Sequence, residues 1–398
     1  HTRRRRQRQM CIRDSDINNY NNTQYRETVL LQGDVGSGKT IVSLLTAIPF
    51  IQKHKQVAYM APTEILANQI YSNVLNHLDN EEVNPILLTG SSKNKSKIYE
   101  KIEKGIFNFI IGTHAIFQEN LNFSSLAYVI IDEQHRFGVQ QRLYLAEKGI
   151  NTNILLMSAT PIPRTLALAQ YGEIEQVILK EKPAFQKPII TKVSNIDKIK
   201  DIEILLKKKI SNVSQVYWIC PLVEASETQK YKDVETRFKS LKNIFGSEVE
   251  MLHGKIKSDQ KERIIQNFQK GNIKILVATT VVEVGIDNKN ADYIVIENAE
   301  KFGLSQLHQL RGRVGRGNNQ GYCFALYGKD LPDNTINRLK IFKENLDGFK
   351  LSEKDLEIRG TGDILGYRQS GDSLFKFVNV YHDQELIIDA LQYVKKLI

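Results

Sequence analysis

Two short stretches carry residue types and spacings that could act on a phosphorylated nucleotide. The first is Gly33-Asp34-Val35-Gly36-Ser37-Gly38-Lys39-Thr40, followed by Ile41, Val42, Leu44, Leu45 and Ile48 at helical spacing. Glycines at this density let backbone N–H groups curl around a phosphate at a helix N-terminus, where the helix dipole also favours negative charge. Lys39 then brings a point charge to the β and γ oxygens, and the Thr40 hydroxyl can ligate Mg2+. This spacing predicts Gly33, Asp34, Gly36, Ser37, Gly38, Lys39 and Thr40 as the ATP phosphate cradle. The second stretch is the apolar run Tyr128-Val129-Ile130-Ile131, which delivers Asp132 and Glu133 at its end. Asp132 is suited to holding Mg2+, and Glu133 to polarising the water that attacks a γ-phosphate. Acid pairs at strand ends also occur as plain solvent-facing turns; the phosphate loop upstream is what favours the catalytic reading.

Residues of this kind need elements that hold them. From Val29 onward the chain alternates apolar runs with helical patterns, the signature of a parallel sheet in an α/β fold. The alternation happens twice. The runs are residues 29–32, 57–60, 109–111, 128–131 and 154–157, then 216–220, 249–252, 275–278, 293–296 and 322–326. Their hydrophobicity is continuous, which predicts strands buried on both faces, with ligands gathered at the carboxyl ends. Residues 179–193, holding Pro183 and Pro188, read as the connection between the halves. The expected division is a basic head over 1–25, a first domain over 26–180, a linker over 181–193, a second domain over 194–335 and a tail over 336–398.

Composition bounds the rest. A chain of 398 residues, 41% hydrophobic and 25% charged, can build two or three ordinary cores. The net charge is +10, but six arginines (Arg3, Arg4, Arg5, Arg6, Arg8, Arg13) lie in the first 13 residues, leaving only +4 of it to the remainder. That head reads as a nucleic-acid arm or as a cloning remnant, and it is set aside from the fold. No apolar stretch is long enough to span a bilayer, and no signal-peptide pattern follows the N-terminal charges, so no membrane partner and a cytoplasmic location are expected. Cys11, Cys220 and Cys323 are scattered without metal-like spacing; the last two lie in apolar runs and read as core.

The phosphate loop and the run Asp132-Glu133-Gln134-His135-Arg136-Phe137-Gly138-Val139 together resemble the RecG family of bacterial ATP-dependent DNA helicases, in helicase superfamily two. The resemblance continues through Met60-Ala61-Pro62-Thr63-Glu64, Gly112-Thr113-His114-Ala115, Met157-Ser158-Ala159-Thr160, Leu252-His253-Gly254, Ala278-Thr279-Thr280 to Ile286-Asp287, and Gln306 to Gly317. It implies two tandem RecA-like (P-loop NTPase) domains with mainly parallel sheets, and a C-terminal helical hairpin and loop within residues 345–371. It further implies ATP and Mg2+ as cofactors, and branched or duplex DNA, read without sequence preference, as partner of a monomer. By the same carry-over Asp287 joins the ATP site, while Gln309, Arg313 and Arg316 reach the γ-phosphate from the second domain when the domains close. Ser158 and Thr160 relay the departing phosphate, Pro62, Thr63, Thr113, His114 and Thr279 line the DNA track, and Arg359 and Gln369 couple lobe movement to translocation. The family's strand-splitting wedge domain and adenine-recognising glutamine segment have no counterpart in residues 1–28. An N-terminally shortened motor with weak nucleotide selectivity and little fork unwinding is therefore expected. Two other readings stay open: a transcription-repair coupling translocase, which shares the tail motif but differs at Gln134 and around Glu283, and a non-catalytic nucleotide- or DNA-binding remnant.

Overall fold

A computed structural model of the chain describes residues 27–78, 82–133, 148–149, 152–159, 174–179, 187–210, 214–221, 232–279 and 288–359, with 386, 389, 390 and 393 singly. The chain divides into two compact units whose boundary falls between Glu181 and Lys182; the second unit runs to Asp355. Each is a parallel α/β layer structure.

The first unit contains β1 (Thr28–Gly33), α1 (Lys39–Gln52), β2 (Gln56–Met60), α2 (Glu64–His77), β3 (Pro85–Leu88), α3 (Lys95–Glu103), β4 (Phe109–Gly112), β5 (Leu126–Ile131), β6 (Asn153–Ser158) and β7 (Glu175–Leu179). Its sheet order is β3-β4-β2-β5-β6-β1-β7, with every pairing parallel. The continuous apolar runs split between two cores because successive side chains of a strand point to opposite faces. Val57, Tyr59, Tyr128 and Ile130 join Val42, Ala47 and Ile70 of α1 and α2 on one face. Ala58, Met60, Val129 and Ile131 join Ile102 of α3 on the other.

The second unit contains β8 (Ile190–Asn195), α4 (Ile199–Lys209), β9 (Gln215–Ile219), α5 (Lys232–Phe245), β10 (Val249–Leu252), α6 (Ser258–Gln269), β11 (Ile275–Ala278), β12 (Ala291–Ile296), α7 (Leu304–Arg311), β13 (Tyr322–Tyr327) and α8 (Asp333–Glu344), and α9 (Gly348–Arg359) begins within it. The order β10-β11-β9-β12-β13-β8 repeats that of the first sheet strand for strand, without the last edge. A shared device marks the repeat. At the foot of β2, Gln56 Nε2 donates to Ile102 O and Phe107 O, both at 2.8 Å. At the foot of β9, Gln215 Nε2 donates to Phe268 O and Ile273 O, both at 2.5 Å. Each buried amide ties the end of one helix to the chain entering the next strand, satisfying carbonyls that would otherwise be stranded.

All ten expected runs are strands. Among the described residues three further strands had no clear signal: β3, β7 and β8. All three are edge strands, half-buried and short or polar, so none has the continuous hydrophobicity of a strand covered on both faces. For β8 this corrects the reading of residues up to 193 as linker. Ile190–Asn195 pairs along its whole length with β13, and Ile190 N donates to Gly321 O. No helix among the described residues is long and apolar enough to cross a membrane.

Candidate nucleotide and DNA site

In the first unit the carboxyl ends of five parallel strands bring the expected residues to one edge. After β1 the loop turns through Gly36 (φ 81°) and Gly38 (φ 91°), left-handed conformations that an L side chain rarely adopts. Ser37 N donates to Asp34 O, and Val35 N to Asp34 Oδ1 at 2.7 Å. Lys39 Nζ donates to Gly33 O at 2.7 Å and Asp34 O at 3.0 Å, which puts a full positive charge inside the loop. Helix α1 starts from Gly38 with no side-chain cap and no acid in its first turn. Its leading N–H groups are thus left for an anion. Ser37 Oγ is buried without a hydrogen-bond partner among the described residues, a second polar atom aimed into the same cradle. These features fit a nucleotide's phosphates.

Asp132 and Glu133 follow β5, two strands from β1 in the sheet. Asp132 N donates to Met60 O at 2.9 Å, and Glu133 N to Asp132 Oδ1 at 3.0 Å. Asp132 is 8% exposed, and Glu133 holds a left-handed φ of 48°. A glutamate pays roughly 1 kcal/mol for that conformation, and such strain collects at functional positions. Behind them stands Tyr59 on β2, wholly buried; burial first, then the Asp132 carboxylate, hold its phenol well above the usual range, so it remains a neutral hydroxyl. No cluster of three or more His, Cys, Asp or Glu able to hold a metal occurs among the described residues. Thr40 and Asp132 suit Mg2+ of the kind that keeps most of its shell in water and substrate phosphate.

The same edge carries the expected DNA-facing residues. Thr63 caps α2, accepting from Leu66 N at 3.3 Å, with Pro62 beside it. Thr113 and the exposed His114 follow β4. Ser158 ends β6, fully buried, in register with Gln32 of β1.

In the second unit the expected residues do not share an edge. Thr279 follows β11 at the carboxyl end, 1% exposed, with Oγ1 lacking a partner among the described residues. Gln309 lies within α7, and Arg313 and Arg316 on the loop after it. Gly315 N of that loop donates to Ala291 O at the start of β12, so the arginines lie at the amino end of the sheet. The expected residues lie at the carboxyl ends of the strands in the first unit, whereas Arg313 and Arg316 do not. Gln309 is 7% exposed and Arg313 9%. Arg316 Nε donates to Gly312 O at 2.9 Å. Burial pushes the Arg316 guanidinium down to about 10, partly opposed by Tyr217, so it stays charged at neutral pH. Burial likewise raises the Tyr217 phenol against the pull of Arg313 and Arg316.

The DEAD/DEAH box helicase family matches residues 17–169, and the helicase conserved C-terminal domain matches residues 196–318. The chain is 49% identical over 365 residues to the ATP-dependent DNA helicase RecG of Borreliella burgdorferi, covering 90% of this chain and 53% of that protein. It is 44% identical over 365 residues to that of Streptococcus pneumoniae, covering 91% and 54%. The solved structure of RecG bound to a three-way DNA junction superposes with a TM-score of 0.76 at 37% identity, covering 95% of this chain and 50% of that one. The chain belongs to the RecG-type helicases of superfamily two. Mss116p bound to single-stranded RNA, at 20% identity and a TM-score of 0.66, shares the fold. The chain spans about half the length of the RecG relatives it matches.

Not every residue expected from the RecG resemblance can be placed. Thr160, Asp287 and Gln369 lie outside the described residues, as do the basic head and residues 134–147, which include the rest of the run that begins at Asp132. Arg359 is the last residue of α9. Sequence reasoning missed Tyr59, Tyr217, His308 and Arg311. The two tyrosines sit in apolar runs that read as core, and Arg311 stands inside the very arginine run that was singled out, with no spacing signal to set it apart.

Proposed function

We propose that the chain is an ATP-hydrolysing motor that drives translocation on branched or double-stranded DNA, as a RecG-type helicase motor. The observation that carries this is the convergence, on one sheet edge, of the Lys39 loop, Thr40, and the Asp132–Glu133 pair. In this reading Gly33, Asp34, Gly36, Ser37, Gly38 and Lys39 hold the phosphates of ATP. Thr40 and Asp132 would hold Mg2+, which supplies charge neutralisation to the phosphate oxygens when bound. Glu133 orients and polarises the attacking water, its backbone fixed by the bond to Asp132. Gln309, Arg313 and Arg316 meet the γ-phosphate from the second unit, and a buried, permanently charged arginine suits stabilising charge in phosphoryl transfer. Asp287 contributes to the same nucleotide site. Pro62, Thr63, Thr113, His114 and Thr279 hold DNA phosphates without reading bases. Ser158 and Thr160 relay phosphate departure, and Arg359 and Gln369 couple it to movement along the duplex. The domain division at a linker within 181–189, the monomeric state and a bacterial cytoplasmic location belong to this proposal.

The test is phosphate release with and without branched DNA. Wild type turns over and DNA accelerates it, while Lys39→Ala abolishes turnover and Glu133→Gln lowers it by about 10²-fold or more. No turnover in the wild type, or turnover unchanged in both variants, favours a non-catalytic remnant.

A further inference from the structure

One arginine in the 311–316 run is turned away from the others and toward the helices that follow β13. Arg311 is 2% exposed. Its Nη1 donates to Phe342 O at 2.9 Å, and its Nη2 to Asn345 O at 2.9 Å, so the guanidinium satisfies carbonyls at the end of α8. The same Nη2 lies 2.8 Å from His308 Nδ1, and the guanidinium carbon stands 4.6 Å from the centre of the Phe342 ring. Arginine has no acceptor, so His308 Nδ1 accepts and the ring proton sits on Nε2. That Nε2 faces the start of α9: a Cβ added at Gly348 would lie 2.7 Å from it and 3.0 Å from Cδ2. Ser305 Oγ on α7 is 3.1 Å from Ser352 Oγ on α9. The eight-residue helix α7 is therefore fastened to α8 and α9 through three of its side chains, Ser305, His308 and Arg311, and α7 and the loop after it carry Gln309, Arg313 and Arg316.

We infer that Arg311 and His308 are positioning residues. They hold α7 against α8 and α9, so that the seating of these helices fixes where Gln309 and Arg313 are presented to the nucleotide. The planar fork of arginine is what allows two carbonyls and one imidazole to be bound by one side chain; a lysine keeps the charge and loses that geometry. Small misplacement of a charge-stabilising group lowers the rate of the chemical step more than it lowers substrate affinity.

This inference rests on the ATP-hydrolysing reading above, and steady-state ATP turnover on saturating DNA separates the two. Gly348→Ala forces the His308 ring to move without touching any group placed at the nucleotide. It is expected to lower kcat per folded molecule about tenfold, with KM for ATP within twofold of wild type. His308→Asn in the Gly348→Ala background shortens the side chain while keeping an oxygen to accept from Arg311, and is expected to restore kcat to within about threefold of wild type. Arg311→Lys, whose folded fraction is followed by far-ultraviolet circular dichroism, provides an independent arm with the same split of kcat from KM. Unchanged kcat in both Gly348→Ala and Arg311→Lys overturns the inference, and so does a Gly348→Ala loss that the His308→Asn replacement fails to rescue. Absence of turnover in the wild type overturns the underlying ATPase reading instead.

Discussion

The two units are built on one plan at the foot of their sheets and put it to different uses at the top. Strand order is the same, and a buried glutamine ties helix to strand at the same place in each. Beyond β1 the first unit has the glycine loop and Lys39. Beyond β8, the equivalent strand, the second has a short turn capped by Asn195, whose Oδ1 accepts from Asp197 N at 3.0 Å. Strands β5 and β12 are likewise equivalent, and each ends in an acid followed by a left-handed residue: Asp132 and Glu133 (φ 48°), against Glu297 and Asn298 (φ 47°). Asparagine adopts this conformation at little cost, whereas glutamate is strained in it. Glu297 is consumed by structure. Trp218 Nε1 and Arg237 Nε both approach its Oε1 at 2.5 Å, and Arg237 Nη2 donates to its Oε2 at 3.3 Å. The acid at this strand end thus stands beside a strained glutamate in one unit, and in the other it is locked into packing beside an asparagine that tolerates the turn.

Exchanging the left-handed residue after that acid breaks the comparison most directly. Glu133→Asn copies the second unit into the first. Turnover on DNA is expected to fall by about 10² to 10⁴, the range for loss of a general base, because the amide cannot polarise water. Stability is expected to hold or rise by about 0.5 kcal/mol as the left-handed strain is relieved, read as the midpoint of urea unfolding. A variant that loses activity and also loses stability would show that Glu133 is part of the packing, as Glu297 is.

Removing the strand-end acid of the second unit has a smaller effect and on a different quantity. Glu297→Ala leaves Arg237 and the Trp218 indole N–H without their main partner. Glu203 is still available to Arg237, at 3.3 Å, although burial already raises the Glu203 carboxyl above its usual range. Removing one member of a largely buried, hydrogen-bonded charge pair should cost about 2–4 kcal/mol. Trp218 is the single tryptophan of the chain, so its fluorescence reports the second unit alone. A Trp218 unfolding midpoint within error of wild type would remove the contrast between the two acids.

How legible these features were follows from what surrounds each one. The strands buried on both faces and the Lys39 loop show in the residues themselves, since continuous apolar runs and clustered glycines have few other uses. Asp132 and Glu133 stand out because they end such a run. Edge strands β3, β7 and β8 were hidden by their half-exposed, mixed composition. The place of Arg313 and Arg316 at the amino end of their sheet was hidden for another reason. It depends on how α7 packs, and a helix of eight residues supported by Arg311 leaves no periodic trace of its supports. Asp132 and Glu297 look alike as acids that end an apolar run; only what surrounds each one divides them.

Alkaline pH should separate the units by the smallest of these effects. Both cysteines among the described residues, Cys220 and Cys323, are buried in the second unit. Burial pushes the Cys323 thiol up to about 12, and burial first, then Glu297, pushes Cys220 well above its usual 9. A raised folded-state value means that the contribution to stability is complete below pH 9, where the unfolded thiol is also protonated. It is lost as pH rises from 9 toward 12, where unfolding releases the proton. Between pH 8 and pH 10 the Trp218 transition is expected to lose roughly 1 kcal/mol through Cys323, with Cys220 acting in the same direction. In the first unit the corresponding buried group is the Tyr59 phenol, which begins one unit higher, from a usual value of 10. The second unit should therefore weaken first. Cys323→Ala should cost stability at pH 8 and yet reduce the loss between pH 8 and pH 10. A pH dependence identical to wild type would mean that the alkaline sensitivity of this unit arises elsewhere than in its buried thiols.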